Sequence, residues 1–291
     1  MKTLLNCEDK KIEIAGIKIL AKSELPFCFS ERCAIFQSDF SKSDVILHLG
    51  RRDKDLPTDL KVVCEGDDFT ILENGEKIVK VKYSDRKKKE VCWELHHPKE
   101  GQDSYEILIF PDWERHLDSL NPLFFFELSE FLIRYDAMIL HSSVIDYQGK
   151  GIVFTAPSKT GKSTQAELWK AKKGAEILNG DRTILRRSDR YLAYGSPYAG
   201  SSGIIQNKKV ELTAIVVLRQ AKRNSIQRLP MKEAYLCLLS EFSVSGWDKK
   251  VLGKQSEWIL QLLQQVPVYR LDCLPNEEAV DVLYNELKIG E

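Results

Sequence analysis

Residues 151–164 read GIVFTAPSKTGKST, which is an apolar segment, a short loop and a run of small polar residues. The end of this stretch matches the pattern G-x-x-x-x-G-K-[ST], whose backbone N–H groups surround a phosphate. Gly161, Lys162 and Ser163 fit the pattern, whereas Ala156 stands in place of its first glycine. Because alanine is nearly as small, we expect the turn after the strand to keep its shape. Lys159 is a larger departure, since a side chain there requires a negative φ or some accepted strain.

The segments on either side of the loop predict the setting that phosphate binding requires. Apolar residues 151–154 predict a buried strand before the loop, and STQAELWKAKK, residues 163–173, predicts a helix after it. Successive backbone N–H groups and the positive end of the helix would then face one anion. We therefore predict that Lys162 reaches the outer phosphates of a nucleotide and that the Ser163 hydroxyl ligates Mg²⁺. The residues predicted to bind ATP are Ser158, Lys159, Thr160, Gly161, Lys162, Ser163 and Thr164.

Composition argues against several classes of protein. The 291 residues include 43 Lys and Arg and 43 Asp and Glu, and this neutral balance argues against a dedicated nucleic-acid binder. The longest apolar runs are strand-sized, so we expect no membrane span, and the N-terminal apolar stretch is too short for a signal peptide. Seven cysteines without a C-x-x-C pair predict reduced thiols in a cytoplasmic protein.

The pattern of apolar residues changes along the chain and predicts two domains. Short β-branched runs between turn residues predict a smaller β-rich N-terminal domain over residues 1–120, with a hairpin whose two-residue turn is Asn74-Gly75. Residues 121–291 alternate strand and helix patterns and predict an α/β domain. Its first helix would start at Asn121-Pro122 and end near Asp136.

Two polar residues next to predicted strands are candidates for catalysis. Phosphoryl transfer needs a carboxylate near the acceptor, and Asp181 in AEILNGDRTIL follows a strand soon after the helix of the loop. His141 in MILHSSVI ends an apolar strand segment before the loop. Each has an ordinary alternative, because NGDR is a common turn and a histidine at a strand end is more often structural.

Together, LHSSVIDYQGKGIVFTAPSKTGKSTQAELW (residues 140–169) and AEILNGD (residues 175–181) resemble the catalytic core of HPr kinase/phosphorylase. The resemblance is closer still to small bacterial proteins with an HPr-kinase-like domain, among them the kinases that modify lasso-peptide precursors. His141 lies 21 residues before Lys162 and Asp181 lies 19 residues after it, which is similar to the order and spacing in that family. The resemblance covers residues 123–287 and leaves out the N-terminal β-rich third.

The resemblance implies a fold, an activity and cofactors. The fold is an α/β phosphate-loop domain similar to that of ATP-dependent phosphoenolpyruvate carboxykinase. The activity is transfer of the γ-phosphoryl group of ATP to a serine hydroxyl of a peptide or protein, with Mg²⁺, and a precursor peptide is one candidate acceptor. In the implied roles Asp181 is the general base and a metal ligand, Lys162 stabilises the phosphates, Ser163 holds Mg²⁺ and His141 assists. We expect no nucleic-acid or membrane partner. Members of that family commonly assemble, so the resemblance also allows a homo-oligomer.

The sequence also departs from the pattern of that family. Two adjacent acids are usual at the strand after the loop, and here Gly180 takes the place of the first. The later metal-binding glutamate has no clear counterpart, because YGSPYAGSSGI, residues 194–204, contains no acid. The loop reads APSKTGKS where GDSGxGKS is frequent, and Lys159 either faces the phosphates or is solvated.

Three hypotheses for function therefore stay open. The first is a serine kinase acting on a peptide or protein, whose N-terminal domain recognises the substrate by pairing it with a strand edge or serves as structural cover or a dimer interface. The second is a kinase acting on a small molecule such as free serine. The third is a module that binds ATP as a sensor and does not turn it over.

Overall fold

The computed structural model describes residues 9–25, 31–52, 59–85, 87–88, 90–97, 103–114, 128–198 and 200–288. The chain divides into two compact units, Met1–Leu128 and Ser129–Glu291. Each unit is built on one large sheet, and the protein as a whole is mixed α/β. The predicted domain border at residue 120 falls outside the described residues.

The first unit contains an eight-stranded sheet with the order β1-β2-β3-β8-β7-β6-β5-β4. Strands β2, β3 and β8 run parallel, and the other neighbours are antiparallel. The elements are β1 (Lys10–Ile14), β2 (Ile17–Ser23), α1 (Glu31–Ala34), β3 (Val45–Arg51), β4 (Lys61–Glu65), β5 (Phe69–Glu73), β6 (Ile78–Asp85), β7 (Glu90–His96), β8 (Ser104–Ile109) and α2 (Pro111–Glu114). The described part of this unit is β-rich, as its sequence pattern indicates.

The hairpin between β5 and β6 turns at Gly75-Glu76 and not at the predicted Asn74-Gly75. The backbone N–H of Asn74 donates to the carbonyl of Lys77 over 3.3 Å, so these two residues close the turn. Gly75 has a φ of 84°, and Asn74 Oδ1 accepts from the backbone N–H groups of Glu76 and Lys77. The predicted turn was wrong by one residue because the asparagine caps the turn with its side chain, which leaves glycine as the first central residue.

The second unit begins with the end of the predicted first helix and continues with alternating strands and helices. Its elements are α3 (Leu128–Phe131), a 3-10 helix (Leu132–Tyr135), β9 (Ala137–Tyr147), β10 (Lys150–Thr155), α4 (Lys162–Lys173), β11 (Glu176–Asn179), β12 (Arg182–Arg187), β13 (Tyr191–Tyr194), a 3-10 turn (Gly200–Ser202), β14 (Lys209–Gln220), β15 (Ser225–Arg228), α5 (Met231–Leu239), α6 (Lys249–Gln265), β16 (Val268–Cys273) and α7 (Glu277–Leu287). Residues 121–127 of the predicted first helix lie outside the described residues. Its predicted end is confirmed, because the 3-10 helix stops where Asp136 adopts a φ of 54°.

The sheet of this unit has the order β10-β9-β12-β13-β14-β16-β15, and β11 also pairs with β9. Strand β10 pairs in addition with β14, in parallel. Ile152 and Phe154 of β10 belong to one buried cluster with residues of α4 and α7, whereas Val153 belongs to another with residues of α5 and α6. Because successive side chains of a strand point to opposite faces, the helices cover both faces of the sheet.

The described residues also bear on the predictions about membrane spans and cysteines. Among the helices that the structure describes, none has the length and apolar character needed to span a bilayer. The five cysteines in the described part, Cys33, Cys64, Cys92, Cys237 and Cys273, are free.

A two-residue break separates β11 from β12 and places Gly180 and Asp181 beside β9. A Cβ atom added to Gly180 would lie 2.0 Å from Ser202 Oγ and 2.8 Å from Ser202 Cβ. Such distances are far below van der Waals contact, so the close approach of Ser202 requires glycine at this position. The acid that the resemblance leads one to expect at Gly180 therefore has no room.

Gly180→Ala is expected to lower the free energy of unfolding of the second unit by roughly 1–3 kcal/mol, because the added Cβ overlaps Ser202. Urea unfolding followed by circular dichroism measures this loss. Ser202→Gly removes the atoms that collide, so the double variant Gly180→Ala/Ser202→Gly should lose less than the sum of the two single changes. Strictly additive losses would contradict the overlap.

Candidate functional site

The loop between β10 and α4 contains two residues with left-handed backbone. Ala156 is buried, and residues 157–159 are exposed. Lys159 has a φ of 66° and Gly161 a φ of 123°, so the lysine adopts the strained alternative considered for it. Gln220 at the end of β14 donates its Nε2 to the carbonyls of Lys159 and Thr160, over 3.4 Å in each case. The loop is therefore tied to the end of a neighbouring strand.

Lys162 is the first residue of α4 and is 7% exposed. Its Nζ donates to the carbonyl oxygen of Ala156 over 2.7 Å and to that of Pro157 over 3.3 Å, so the ammonium lies across the loop. Burial lowers the pKa of Lys162, while the carboxylates of Glu241 and Asp181 oppose that shift. The lysine is thus a partly desolvated cation, and two nearby carboxylates offset part of the effect of its burial.

The first turn of α4 presents polar groups to solvent. Ser163 and Thr164 are exposed, and α4 as a whole is twelve residues long and ends at Lys173. The unpaired N–H groups of a helix start carry partial positive charge, which favours a nearby anion. This turn and the Lys162 ammonium therefore supply positive charge on one short stretch of chain.

Asn179 fixes the break that contains Asp181. Its side chain is fully buried, and its Nδ2 donates to the carbonyls of Ser196 and Tyr198 over 3.1 and 3.0 Å. Its Oδ1 accepts from the backbone N–H groups of Asp181 and Arg182 over 2.9 and 2.8 Å. The asparagine thereby satisfies the main-chain donors of Asp181 and Arg182 and leaves the Asp181 carboxylate 29% exposed at the edge of the turn. Sequence reasoning noticed NGDR as a turn but missed this role of Asn179.

His141 lies within β9 and not at a strand end, where it was predicted. The strand continues to Tyr147 because the two serines that follow the histidine are buried with partners, with Ser142 Oγ donating to the Leu140 carbonyl and Ser143 Oγ to the Asn179 carbonyl. Backbone pairing sets His141 opposite Arg182.

That register brings the His141 ring close to Asp181, the acid in the break between β11 and β12. His141 Nε2 lies 3.8 Å from Asp181 Oδ1, which is too long for a hydrogen bond but close enough for charges to interact. The histidine side chain is 30% exposed, so solvent also reaches the ring.

Glu241 completes the cluster and was missed from the sequence. It follows α5, and its Oε2 lies 3.2 Å from His141 Nδ1. Its side chain is only 10% exposed. The two residues are 100 positions apart, and SEF at the end of a helix matches no motif, so the sequence carried no signal for this contact.

The structure brings His141, Lys162, Asp181 and Glu241 together, with Ser163 and Thr164 on the same helix start. Within the described ranges, no group of three His, Cys, Asp or Glu residues could hold a metal ion. Mg²⁺ bound with phosphates usually needs only one or two carboxylates, with waters completing its shell. The hydroxyl of Ser163 and the carboxylate of Asp181 therefore fit Mg²⁺ in chemical kind.

A cavity of about 420 Å³ borders residues 159–161 of the loop. Residues 159–161, 164 and 165 line one side, and residues 220–221 and 273–275, at the ends of the parallel strands β14 and β16, line the other. Gln165 is 2% exposed, and its Oε1 has no hydrogen-bond partner in the described structure. Ligands of α/β proteins commonly bind at the carboxyl ends of parallel strands, where this cavity lies.

Comparison with known proteins gives a family. Solved structures provide 51 matching chains, among them the Hpr(Ser) kinase/phosphatase from Coxiella burnetii, which is 11% identical with a TM-score of 0.32 over 53% of this chain and 99% of that chain. A similarity of this size assigns neither the fold nor the activity. No curated protein sequence matches the chain. The family model described as SynChlorMet cassette protein ScmC matches residues 125–275, more than half of the 291 residues, and the chain therefore belongs to the ScmC family.

Proposed function

We propose that the protein is an ATP-dependent kinase that transfers the γ-phosphoryl group to a serine hydroxyl of a peptide or protein. The observation that carries the proposal is the convergence of the loop lysine, Lys162, with His141 and Asp181 in one cluster. These three residues are distant in sequence, and their order and spacing resemble those of HPr kinase/phosphorylase. A lysine and a helix start beside a partly exposed carboxylate are the groups that phosphoryl transfer needs.

Each part of the site has a role in holding the nucleotide. The first turn of α4 and the Lys162 ammonium would bind the phosphates, and the Ser163 hydroxyl with the Asp181 carboxylate would hold Mg²⁺. When bound, MgATP supplies the transferable phosphoryl group and the ADP leaving group. Lys162 would exchange its contacts with the Ala156 and Pro157 carbonyls for phosphate oxygens, which are stronger acceptors for a cation.

Asp181 is the group that would act on the acceptor. Its carboxylate is 29% exposed and held at a fixed break, so an incoming hydroxyl can reach it. Asp181 would orient the serine hydroxyl and take its proton as the oxygen bonds to phosphorus. Lys162 would then neutralise the negative charge that develops on the transferred group.

The cavity beside the loop would receive the nucleoside part of ATP. It shares residues 159–161 with the loop and has a volume within the usual range of small-molecule sites. Cys273 lines this cavity and is 9% exposed. A nucleotide in the cavity would cover the thiol.

The β-rich unit offers an edge for the acceptor peptide. Strand β4 is the last strand of its sheet, and Val62 and Val63 on it are 58% and 53% exposed. Exposed sheet edges bind extended peptides through main-chain hydrogen bonds, with side chains adding apolar contact. We propose this edge as the docking strand for the substrate.

Radiolabelled ATP with a panel of acceptors tests the activity. With Mg²⁺ present, the labelled phosphate should pass to peptides that contain serine and not to matched peptides in which alanine replaces the serine. Chelation of the metal should abolish the transfer. Asp181→Ala should lower kcat by about 10²- to 10⁴-fold, because the proton acceptor is lost, while the Kd for ATP measured without Mg²⁺ stays within about threefold. Asp189→Ala, which alters an exposed acid on a turn, is the matched control.

The outcomes separate the three hypotheses. Efficient labelling of free serine in preference to every peptide would favour the small-molecule kinase. If the wild-type protein binds ATP but labels no acceptor, the kinase proposal is wrong and the sensor remains.

Alkylation of Cys273 tests where the nucleotide binds. Burial raises the pKa of Cys273, so its reaction with a maleimide should be slow without ligand. Saturating MgATP should slow the reaction at least several-fold further, as measured by mass spectrometry of the peptides. Cys64 on β4 is the internal control, and equal protection of both thiols would argue against binding in the cavity.

Val63→Asp tests the docking edge. The added charge should disfavour an apolar peptide strand beside β4 and raise the KM for a peptide acceptor by about tenfold, while hydrolysis of ATP stays unchanged. Equal effects on both reactions would mean that the change acts through general stability.

A further inference from the structure

We propose that Glu241 is a positioning residue for the transfer reaction, which accepts the Nδ1 proton of His141 and so directs the other ring nitrogen, Nε2, toward Asp181. This inference rests on the proposed function. It assigns a role to a residue that none of the motifs contains and that lies 100 positions from the histidine it contacts.

Backbone hydrogen bonds hold Glu241 opposite His141. The His141 N–H donates to the Glu241 carbonyl over 2.9 Å, and the N–H of Ser243 donates to the Ile139 carbonyl over 2.9 Å. Leu140 and Phe242 form a bridge between them. The segment after α5 therefore runs antiparallel beside β9 in a fixed register.

Packing fixes the same segment from the other side. Phe242 is 4% exposed, and its ring meets that of Trp258 on α6 edge to face, with centroids 5.9 Å apart. Because the residue next to Glu241 is anchored in the core, the carboxylate has little freedom to leave the histidine. A mobile surface acid would not be constrained in this way.

The chemistry of the ring turns this contact into a preference. A neutral imidazole donates from one nitrogen and accepts at the other, and a partner on one nitrogen decides which is which. A charged carboxylate has no proton to donate. The Glu241 carboxylate, 3.2 Å from Nδ1, therefore acts only as a hydrogen-bond acceptor and selects the tautomer with the proton on Nδ1. The lone pair of Nε2 then faces Asp181 Oδ1 at 3.8 Å, and it would take over a proton that Asp181 receives from the acceptor once the two atoms close to hydrogen-bond distance.

Electrostatics give Glu241 a second effect on the site. Its carboxylate raises the pKa of Lys162 against the effect of burial, and it precedes Asp181 in the size of this contribution. One nearly buried acid thus acts on both the histidine and the loop lysine. A carboxylate turned to solvent would have neither effect.

Nitrogen-15 NMR of the histidine rings tests the tautomer directly. The chain has five histidines, and His141→Asn identifies the signal of interest. In the wild-type protein the neutral His141 ring should carry its proton on Nδ1. In Glu241→Ala the proton should move to Nε2, the site preferred by free histidine, whereas Glu241→Gln should retain the Nδ1 tautomer because its amide oxygen still accepts.

Steady-state hydrolysis of ATP, with water as acceptor, tests the consequence for the reaction. Glu241→Ala should lower kcat by about 10- to 100-fold with the KM for ATP within about twofold, and Glu241→Gln should lie between it and the wild type. Glu286→Gln, an exposed glutamate on α7, is the matched control. Circular dichroism checks that each variant is folded, and Glu241→Gln keeps the test available if the alanine variant unfolds.

Two results would overturn the inference. One is a wild-type His141 ring with its proton on Nε2, and the other is a kcat in Glu241→Ala equal to that of Glu286→Gln. If the wild type neither hydrolyses ATP nor transfers phosphate, the proposed function fails, while the NMR comparison still decides whether Glu241 sets the ring.

Discussion

Backbone hydrogen bonds join β9 to four segments, and the candidate site exists only where these pairings meet. Strand β10, which leads into the loop, pairs with the second half of β9, and β12 pairs with the first half. Strand β11 also lies against β9, so the break with Asp181 falls opposite His141 and Ser142. The segment that carries Glu241 adds a bridge at Leu140. A register slip of one residue would turn His141 to the opposite face and separate the cluster.

This arrangement explains why polar residues occur inside an otherwise apolar strand. Ser142 and Ser143 are fully buried, yet their hydroxyls donate to main-chain carbonyls within the sheet. Thr155 at the end of β10 likewise donates to the carbonyl of His141 over 2.9 Å. Each hydroxyl that finds such a partner avoids a desolvation cost of about 1–3 kcal/mol. Ser143 and Thr155 also tie β9 to β11 and to β10, whereas Ser142 bonds within β9. The polar lining is therefore part of what keeps the side chains of the candidate site in place.

Local chemistry could be predicted from the sequence, and distant contacts could not. The strand, loop and helix around residues 151–173 were predicted because their signals are contiguous, and the elements β10 and α4 confirm them. His141 was placed at a strand end because the apolar run of residues 137–140 stops before it, whereas the strand continues through two buried serines. Glu241 was invisible because its role depends on β-bridge pairing across 100 residues, and no local pattern encodes such a pairing. Gly180 is explained only by Ser202, and no local pattern in residues 194–204 encodes the contact between that segment and the break.

Steric space at one glycine bears on how the acids of this site are distributed. The resemblance to HPr kinase/phosphorylase leads one to expect two adjacent carboxylates. At Gly180, the position of the first, Ser202 fills the space that a side chain would need. The site nevertheless contains two carboxylates, because Glu241 arrives from the segment after α5. The second acid, Glu241, faces His141 Nδ1 and is not a sequence neighbour of Asp181. Its negative charge therefore lies beside the other nitrogen of the histidine ring. A metal ion shared with phosphates would then meet one carboxylate directly, while the other sets the state of the ring and supports the charge of Lys162. Such a division of labour is a physical consequence of which positions beside β9 have room for a side chain.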